Sequence, residues 1–194
     1  MKRNERVAEV RRQILFIQGG GSGAHEEDEH LVASLRSALG ASYEVHYPTM
    51  PREDDPDYKG WRAQIRKELA AMKGKVILVG HSLGGSFLLK CLSEEKIKTG
   101  ISGLFLIATP YWGGDGWRYE GYEAVTLPKD FASNLPKGAP IFFYHSRDDE
   151  VVPFSHLALY GEKLPWATIR VLDGRGHQLP SDSSEVAADI KSLE

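Results

Sequence analysis

Short apolar runs alternate along this chain with longer segments in which apolar residues recur at helical spacing. The runs predict buried strands at residues 14–17, 43–47, 75–79, 103–108, 140–145 and 168–172. Between two of these runs, an apolar stripe at helical spacing is formed by Tyr58, Trp61, Ile65, Leu69 and Met72. The alternation indicates βαβ units. We therefore predict an α/β fold whose mostly parallel central sheet carries helices on both faces.

The most informative motif, Gly80-His81-Ser82-Leu83-Gly84-Gly85, directly follows the third predicted strand and precedes a helix-compatible apolar segment. Gly-x-Ser-x-Gly in this position is the nucleophile-elbow pattern, in which glycines permit a sharp turn and the serine is held out above the sheet. A Gly/Ser turn of an ordinary α/β protein would also match the five residues. The flanking strand and helix favour Ser82 as a nucleophile.

A serine hydroxyl becomes a good nucleophile only beside a base, and the base needs a third group to orient it. In parallel α/β sheets the chemistry gathers at the carboxyl ends of the strands. Asp148 and Asp149 follow one later strand, and His177 follows the next. We predict Ser82 as nucleophile, His177 as base and Asp149 as acid, an order that is typical of α/β hydrolases.

Asp148 competes with Asp149 for the role of the acid, because adjacent side chains point in different directions. Asp149 is favoured since residues 149–153, Asp-x-x-Val-Pro, resemble the acid turn of many α/β hydrolases. Asp148 is then interpreted as a solvated turn residue. His145 is an alternative base, but its position after a strand core favours packing or local hydrogen bonding. His46 and His156 are interpreted in the same way, and His81 as a support of the turn.

The loop of residues 18–23, Gln-Gly-Gly-Gly-Ser-Gly, follows the first strand and suits close approach of the backbone to an anion. We predict an oxyanion hole formed by the N–H groups of Gly20 and Leu83. A phosphate-binding loop is disfavoured, because no Walker lysine follows and residues 26–29 are all acidic. Those acidic residues, with His25 and His30 nearby, are interpreted as a solvated helix start and not as a metal site.

Composition and charge argue against several other classes of function. The formal net charge is −3, with 41% hydrophobic and 26% charged residues, which is typical of a soluble globular protein and does not indicate nucleic-acid binding. No apolar run is long enough to cross a membrane, and charged residues continue through Arg12 where a signal peptide needs an apolar segment. Cys91 is the single cysteine, which favours a cytoplasmic location. We expect residues 1–194 to form one domain of undetermined oligomeric state.

The motifs resemble those of the α/β-hydrolase superfamily across nearly the whole chain. The chain most resembles its small serine hydrolases of the retinoblastoma-binding-protein type, because a Pro-rich turn at residues 50–57 precedes a helix that contains Trp61. This resemblance implies hydrolysis of carboxylic esters through an acyl-serine intermediate, with no metal or organic cofactor. The retinoblastoma-binding motif Leu-x-Cys-x-Glu is only approached at residues 89–93, which end in serine, so that partner is not predicted.

Residues 109–130 leave the fourth strand and hold five aromatic residues among four glycines. We expect Tyr111, Trp112 and Trp117 to line a substrate pocket at the mouth of the site, although a surface loop fastened by its own aromatic residues fits equally well. The predicted substrate is a small acyl ester or thioester. The same catalytic residues would also support perhydrolysis, amide or lactone chemistry, and a non-catalytic binding protein on this fold is a third alternative.

Overall fold

The structure is a computed structural model that describes residues 11–114, 116–179 and 182–193. Its strands are β1 (Arg12–Ile17), β2 (Tyr43–His46), β3 (Lys75–His81), β4 (Gly100–Ile107), β5 (Ile141–Ser146) and β6 (Thr168–Leu172). They form one sheet in the order β2-β1-β3-β4-β5-β6, and every neighbouring pair is parallel. The predicted fold class is confirmed.

The helices in the described part of the chain are α1 (Ala24–Leu39), α2 (Tyr58–Ala71), α3 (Leu83–Glu94), α4 (Phe131–Asn134), α5 (Ser155–Lys163) and α6 (Ser184–Lys191), with a 3₁₀ turn at Tyr122–Ala124. Side chains alternate between the two faces of each strand, which creates two cores. Leu15 and Ile17 belong to the core that α2, α3, α4 and α5 cover, whereas Ile14 and Phe16 belong to the core covered by α1 and α6.

The strand order reverses between β1 and β3, because β2 lies on one side of β1 whereas β3 to β6 follow on the other. The helices after these two central strands, α1 and α3, pack on opposite faces of the sheet. The crevice beyond the carboxyl ends of two such strands is the usual ligand position in open α/β sheets. The loop after β1 and the turn after β3 meet there.

β3 runs two residues further than the apolar run predicted. Gly80 and His81 continue the ladder, opposite Leu106 and Ile107 of β4. The residue directly after the strand is therefore Ser82. Among the described residues, no helix combines the length and apolar character needed to span a membrane. Residues 1–10, on which the targeting prediction depends, lie outside the described residues.

Candidate active site

Ser82 occupies a strained position at the junction between β3 and α3. Its backbone has φ 49° and ψ −124°, a conformation that a residue with a side chain rarely adopts. The Ser82 N–H donates to Ile107 O at 2.8 Å, which fastens the turn to the end of β4. Strain of this kind persists only where the surroundings hold it in place, and it is frequent at active sites.

The glycines of the motif are required by crowding. A Cβ on Gly80 would lie 2.6 Å from Gly85 Cα, and one on Gly84 would lie 2.2 Å from Gln18 O. A Cβ on Gly85 would lie 2.1 Å from Thr109 Oγ1. These distances are shorter than any normal contact, so the first turn of α3 lies directly on the ends of β1 and β4.

Asp149 and His177, the predicted acid and base, are in direct contact. His177 Nδ1 lies 2.9 Å and 3.0 Å from the two carboxylate oxygens of Asp149. Asp149 Oδ1 also accepts hydrogen bonds from the N–H groups of Val151 at 2.9 Å and Val152 at 2.8 Å. A carboxylate only accepts, so Nδ1 of His177 carries a proton. In the neutral ring Nε2 then holds the free lone pair that a general base requires.

His177 lies against the residue that precedes Ser82. Its backbone oxygen lies 3.0 Å from His81 Nε2, and the centroids of the two imidazole rings are 4.9 Å apart. The Ser82 hydroxyl makes no hydrogen bond to any described residue. The structure thus joins Asp149 to His177 and places His177 beside the serine turn, while the serine–histidine hydrogen bond of the predicted triad stays a prediction.

Asp148, the competing acid, has a different set of partners. Its carboxylate accepts hydrogen bonds from Ser146 Oγ, from the Arg175 N–H at 3.2 Å and from the Gly176 N–H at 3.4 Å. The side chain is exposed, but it is not a free turn residue, because it fastens the start of the loop that carries His177. Asp148 therefore holds the backbone of the loop that carries His177, and Asp149 holds the imidazole of His177 itself.

His145 is a second contact of Asp149, the predicted acid. It is buried, and its Nε2 lies 3.1 Å from Asp149 Oδ2 and 3.0 Å from Val152 O. Both atoms are acceptors, so the Nε2–H is shared between them. These contacts agree with the expected packing or local hydrogen bonding of His145, but no pattern in the sequence identifies Asp149 as its partner.

The interpretation of residues 26–29 as a solvated helix start is wrong at Asp28. Glu26, Glu27 and Glu29 are exposed, whereas Asp28 is 0% exposed. Its side chain points inward because residues of one helical turn face different directions. Asp28 contacts His81, the residue predicted to support the turn, and Nδ1 of that ring lies 2.9 Å from Asp28 Oδ2.

The two predicted oxyanion donors lie next to each other. A Cβ on Gly20 would lie 2.4 Å from Leu83 Cδ2, so only glycine fits at this position without displacing the leucine. The Gly19 N–H is not available to a substrate, because it donates to Asp28 Oδ2 at 2.8 Å. The N–H groups of Gly20 and Leu83 have no acceptor among the described residues. Their role in catalysis stays a prediction.

Glu53, from the Pro-rich turn, fastens the glycine loop after β1. Its backbone oxygen accepts from the Gly21 N–H at 2.7 Å. Its carboxylate accepts from the His25 N–H at 2.9 Å and from Gln18 Nε2 at 2.7 Å. The amide oxygen of Gln18 accepts in turn from the Met50 N–H at 3.1 Å. The segment before α2 thus holds the loop that carries the first predicted oxyanion donor.

The aromatic segment is fastened to α5. The Tyr111 N–H donates to His156 Nδ1 at 3.0 Å, and the rings of Tyr111 and Tyr160 are 5.0 Å apart. Trp117 packs on Trp112 at 4.8 Å and on His156 at 5.5 Å. In the described residues, which exclude residue 115 of this segment, these contacts join no ring to the predicted catalytic residues. The assignment of a substrate pocket to the segment stays a prediction.

Burial alone would raise the pKa of the Asp149 carboxyl. Hydrogen bonds from His145 and His177, together with the charge of His177, outweigh burial and hold that pKa well below its usual range. Asp149 is therefore an ionised carboxylate at neutral pH. This charge suits it to orient and stabilise a protonated imidazole.

Comparison with known proteins gives a consistent result. A family model described as Serine hydrolase matches residues 16–183. No curated protein matches the chain. The ydeN gene product of B. subtilis is 17% identical with a TM-score of 0.69, over 94% of this chain and 98% of that one. Serine hydrolase CCSP0084 from Cycloclasticus zankles is 16% identical with a TM-score of 0.74, over 95% and 89%. Est1E from Butyrivibrio proteoclasticus, with ferulic acid bound, is 16% identical with a TM-score of 0.68, over 97% and 90%.

The depressed pKa of Asp149 predicts a specific dependence of stability on pH. In the unfolded chain the carboxyl of an aspartate has a pKa of about 3.9. Ionised Asp149 therefore stabilises the fold above that pH, and this stabilisation is lost as the pH falls further. We expect the free energy of unfolding of Asp149→Asn to vary less steeply than that of wild type between about pH 2 and 5. Urea denaturation at a series of pH values measures both slopes.

The matched control for that experiment is Asp173→Asn, because the Asp173 side chain is 79% exposed. This variant should follow the wild-type slope. A wild-type slope in Asp149→Asn as well would contradict the proposed electrostatic stabilisation of the acid.

Proposed function

The chain belongs to the serine hydrolase family, and from this premise we propose that it cleaves small carboxylic esters or thioesters through an acyl-serine intermediate. Ser82 is the nucleophile, His177 the general base and Asp149 the orienting acid. The observation that carries the proposal is the 2.9 Å contact between His177 Nδ1 and Asp149 beside the strained Ser82 turn. A base with a fixed tautomer thus lies beside the turn that carries the half-buried Ser82.

In the proposed first step, Ser82 Oγ attacks the carbonyl carbon of the substrate while His177 Nε2 takes the hydroxyl proton. The carbonyl π electrons move to oxygen, and the N–H groups of Gly20 and Leu83 donate to the resulting oxyanion. The intermediate collapses as the bond to the alcohol or thiol breaks, and His177 returns its proton to that leaving group. Water then repeats the sequence on the acyl-enzyme and releases a carboxylic acid.

The preference for small substrates rests on the short connection between β4 and β5. In its described part it contains the 3₁₀ turn Tyr122–Ala124 and the four-residue helix α4, which do not amount to a large helical lid. Est1E, which has a similar fold, is solved with the small aromatic acid ferulic acid bound.

The central test is covalent labelling with a fluorophosphonate probe, combined with hydrolysis of p-nitrophenyl acetate. Wild type should be labelled at Ser82 and should hydrolyse the ester, whereas Ser82→Ala should do neither, because the nucleophile is missing. Ser86→Ala is the matched control, since the Ser86 hydroxyl is buried and donates to Pro110 O. Absence of labelling in folded wild type would reject catalysis and favour the binding-protein alternative.

The assignment of the acid is tested with two neighbouring variants. Asp149→Asn should lower kcat by about 10⁴-fold, because the amide can hold His177 in the wrong tautomer. Asp148→Asn should cost about tenfold or less, since it only weakens hydrogen bonds to the His177 loop. Steady-state kinetics on one ester measures both. A larger loss in Asp148→Asn would transfer the role of the acid to Asp148.

The acyl-chain preference is tested with a p-nitrophenyl ester series from acetate to palmitate, below the concentrations at which the esters form micelles. We expect kcat/KM to be highest for the short acyl chains and to fall beyond about six carbons, because the described part of the chain forms no large apolar lid over the site. Activity that rises steadily to palmitate would contradict the proposed substrate class. It would not bear on the assignment of the catalytic residues.

A further inference from the structure

Asp28 and His81 form a second carboxylate–imidazole pair, beneath the predicted catalytic residues. Both side chains are 1% exposed, and His81 Nδ1 lies 2.9 Å from each carboxylate oxygen. On the other side of the ring, Nε2 lies 3.0 Å from the backbone oxygen of His177. Neither contact belongs to the proposed chemical steps, in which His81 has no part.

The contacts determine the charge of the ring. The carboxylate at Nδ1 and the carbonyl oxygen at Nε2 are both acceptors, so each nitrogen of His81 must carry a proton to satisfy them. Burial lowers the pKa of His81, but the charge of Asp28 and the hydrogen bonds that the ring donates to Asp28 and His177 outweigh burial and raise that pKa. The charge of Asp149 also raises it. Asp28–His81 is therefore a buried ion pair.

This pair contacts or adjoins the segments that carry the predicted oxyanion donor Gly20, the nucleophile and the base. Asp28 Oδ2 accepts the Gly19 N–H, one residue before the predicted oxyanion donor Gly20. His81 directly precedes Ser82 in the chain, and its Nε2–H donates to the carbonyl of His177 itself. One continuous set of hydrogen bonds thus runs from the loop after β1, through α1 and the end of β3, to the loop after β6.

We propose that Asp28 and His81 are positioning residues for catalysis. They fix the loop of residues 18–23, the serine turn and the backbone of His177 in their positions relative to one another. This inference rests on the proposed function. The pair itself touches no reacting atom. Its effect comes from fixing the relative positions of groups on three separate loops, where a displacement of about 1 Å can cost ~10²-fold in rate.

The geometry of the carboxylate permits a sharp comparison between asparagine and alanine at position 28. Oδ2 accepts from the Gly19 N–H and from His81 Nδ1, whereas Oδ1 lies 2.9 Å from Nδ1 but makes no hydrogen bond among the described residues. In Asp28→Asn the amide oxygen can replace Oδ2, and the NH₂ group in place of Oδ1 can donate to Nδ1 of a neutral His81. The Nε2–H then still donates to the His177 carbonyl. Asp28→Ala removes these connections.

The experiment measures kcat and KM for a short ester, with kcat expressed per site titrated by the fluorophosphonate probe. Asp28→Ala should lower kcat by about 10²-fold while KM changes by less than about threefold, and Asp28→Asn should keep kcat within about tenfold of wild type. Glu26→Ala and Glu26→Gln are the controls, because Glu26 is an exposed acid of the same helical turn, and both should retain wild-type kcat.

A purely structural role would lower the fraction of titratable sites and leave kcat per site unchanged, so unchanged kcat in Asp28→Ala overturns the inference. Equal losses in Asp28→Ala and Asp28→Asn overturn it as well, because the hydrogen bonds retained by asparagine would then have no effect. If Asp28→Ala does not fold, the double variant Asp28→Asn/His81→Phe replaces it, since it leaves no buried charge but breaks the bond to His177. It should show the same ~10²-fold loss.

Nitrogen NMR of the imidazole rings provides a readout that is independent of activity. In wild type both ring nitrogens of His81 should carry protons at neutral pH, whereas in Asp28→Asn only Nε2 should. A His81 ring with one unprotonated nitrogen in wild type would overturn the ion pair. If wild type neither hydrolyses esters nor reacts with the probe, the proposed function fails, and this spectrum still tests the pair on its own.

Discussion

The close approach of α3 to the end of β1 is the constraint on which the rest of the site depends. With a methyl group on Gly84 only 2.2 Å from Gln18 O, the helix could not begin where it does. That position places the Leu83 side chain against Gly20 and leaves Ser82 to make the turn at φ 49°. The backbone strain at the serine is a consequence of this packing, and the hydrogen bond to Ile107 O maintains it.

Much of this arrangement can be predicted from the sequence, because the apolar runs locate the strand ends and parallel strands end at one edge of the sheet. Ser82 follows such an end directly, and Asp149 and His177 lie in the loops that follow β5 and β6. Local patterns also distinguish Asp149 from Asp148, since the turn after Asp149 provides the N–H groups of Val151 and Val152 that its carboxylate accepts. Short-range patterns are thus sufficient to predict where these residues lie, whereas their catalytic roles stay a prediction.

Asp28 and His145 could not be predicted in this way. Asp28 lies in an acidic run at a helix start, where every residue satisfies the preference for negative charge, and only the tertiary packing of α1 selects the one that faces inward. Its partner His81 is 53 residues away in the chain. His145 ends a strand, and an apolar run does not reveal which polar atom its ring meets. Partners of buried polar groups depend on contacts that no local pattern encodes.

Burying an ion pair costs desolvation energy that its mutual attraction rarely exceeds, so stability alone is a weak reason for Asp28–His81 to exist. The position of the pair is better explained by connectivity. An aliphatic pair of equal volume would leave the Gly19 N–H and the His177 carbonyl without partners, and unpaired buried backbone groups are costly. In the ion pair, the Asp28 carboxylate accepts from the Gly19 N–H, and the charged His81 ring donates to the His177 carbonyl. Both backbone groups are therefore satisfied. The ion pair therefore joins the loop after β1, the serine turn and the loop after β6 through directional hydrogen bonds. An apolar core could bring these segments together but could not fix their relative positions.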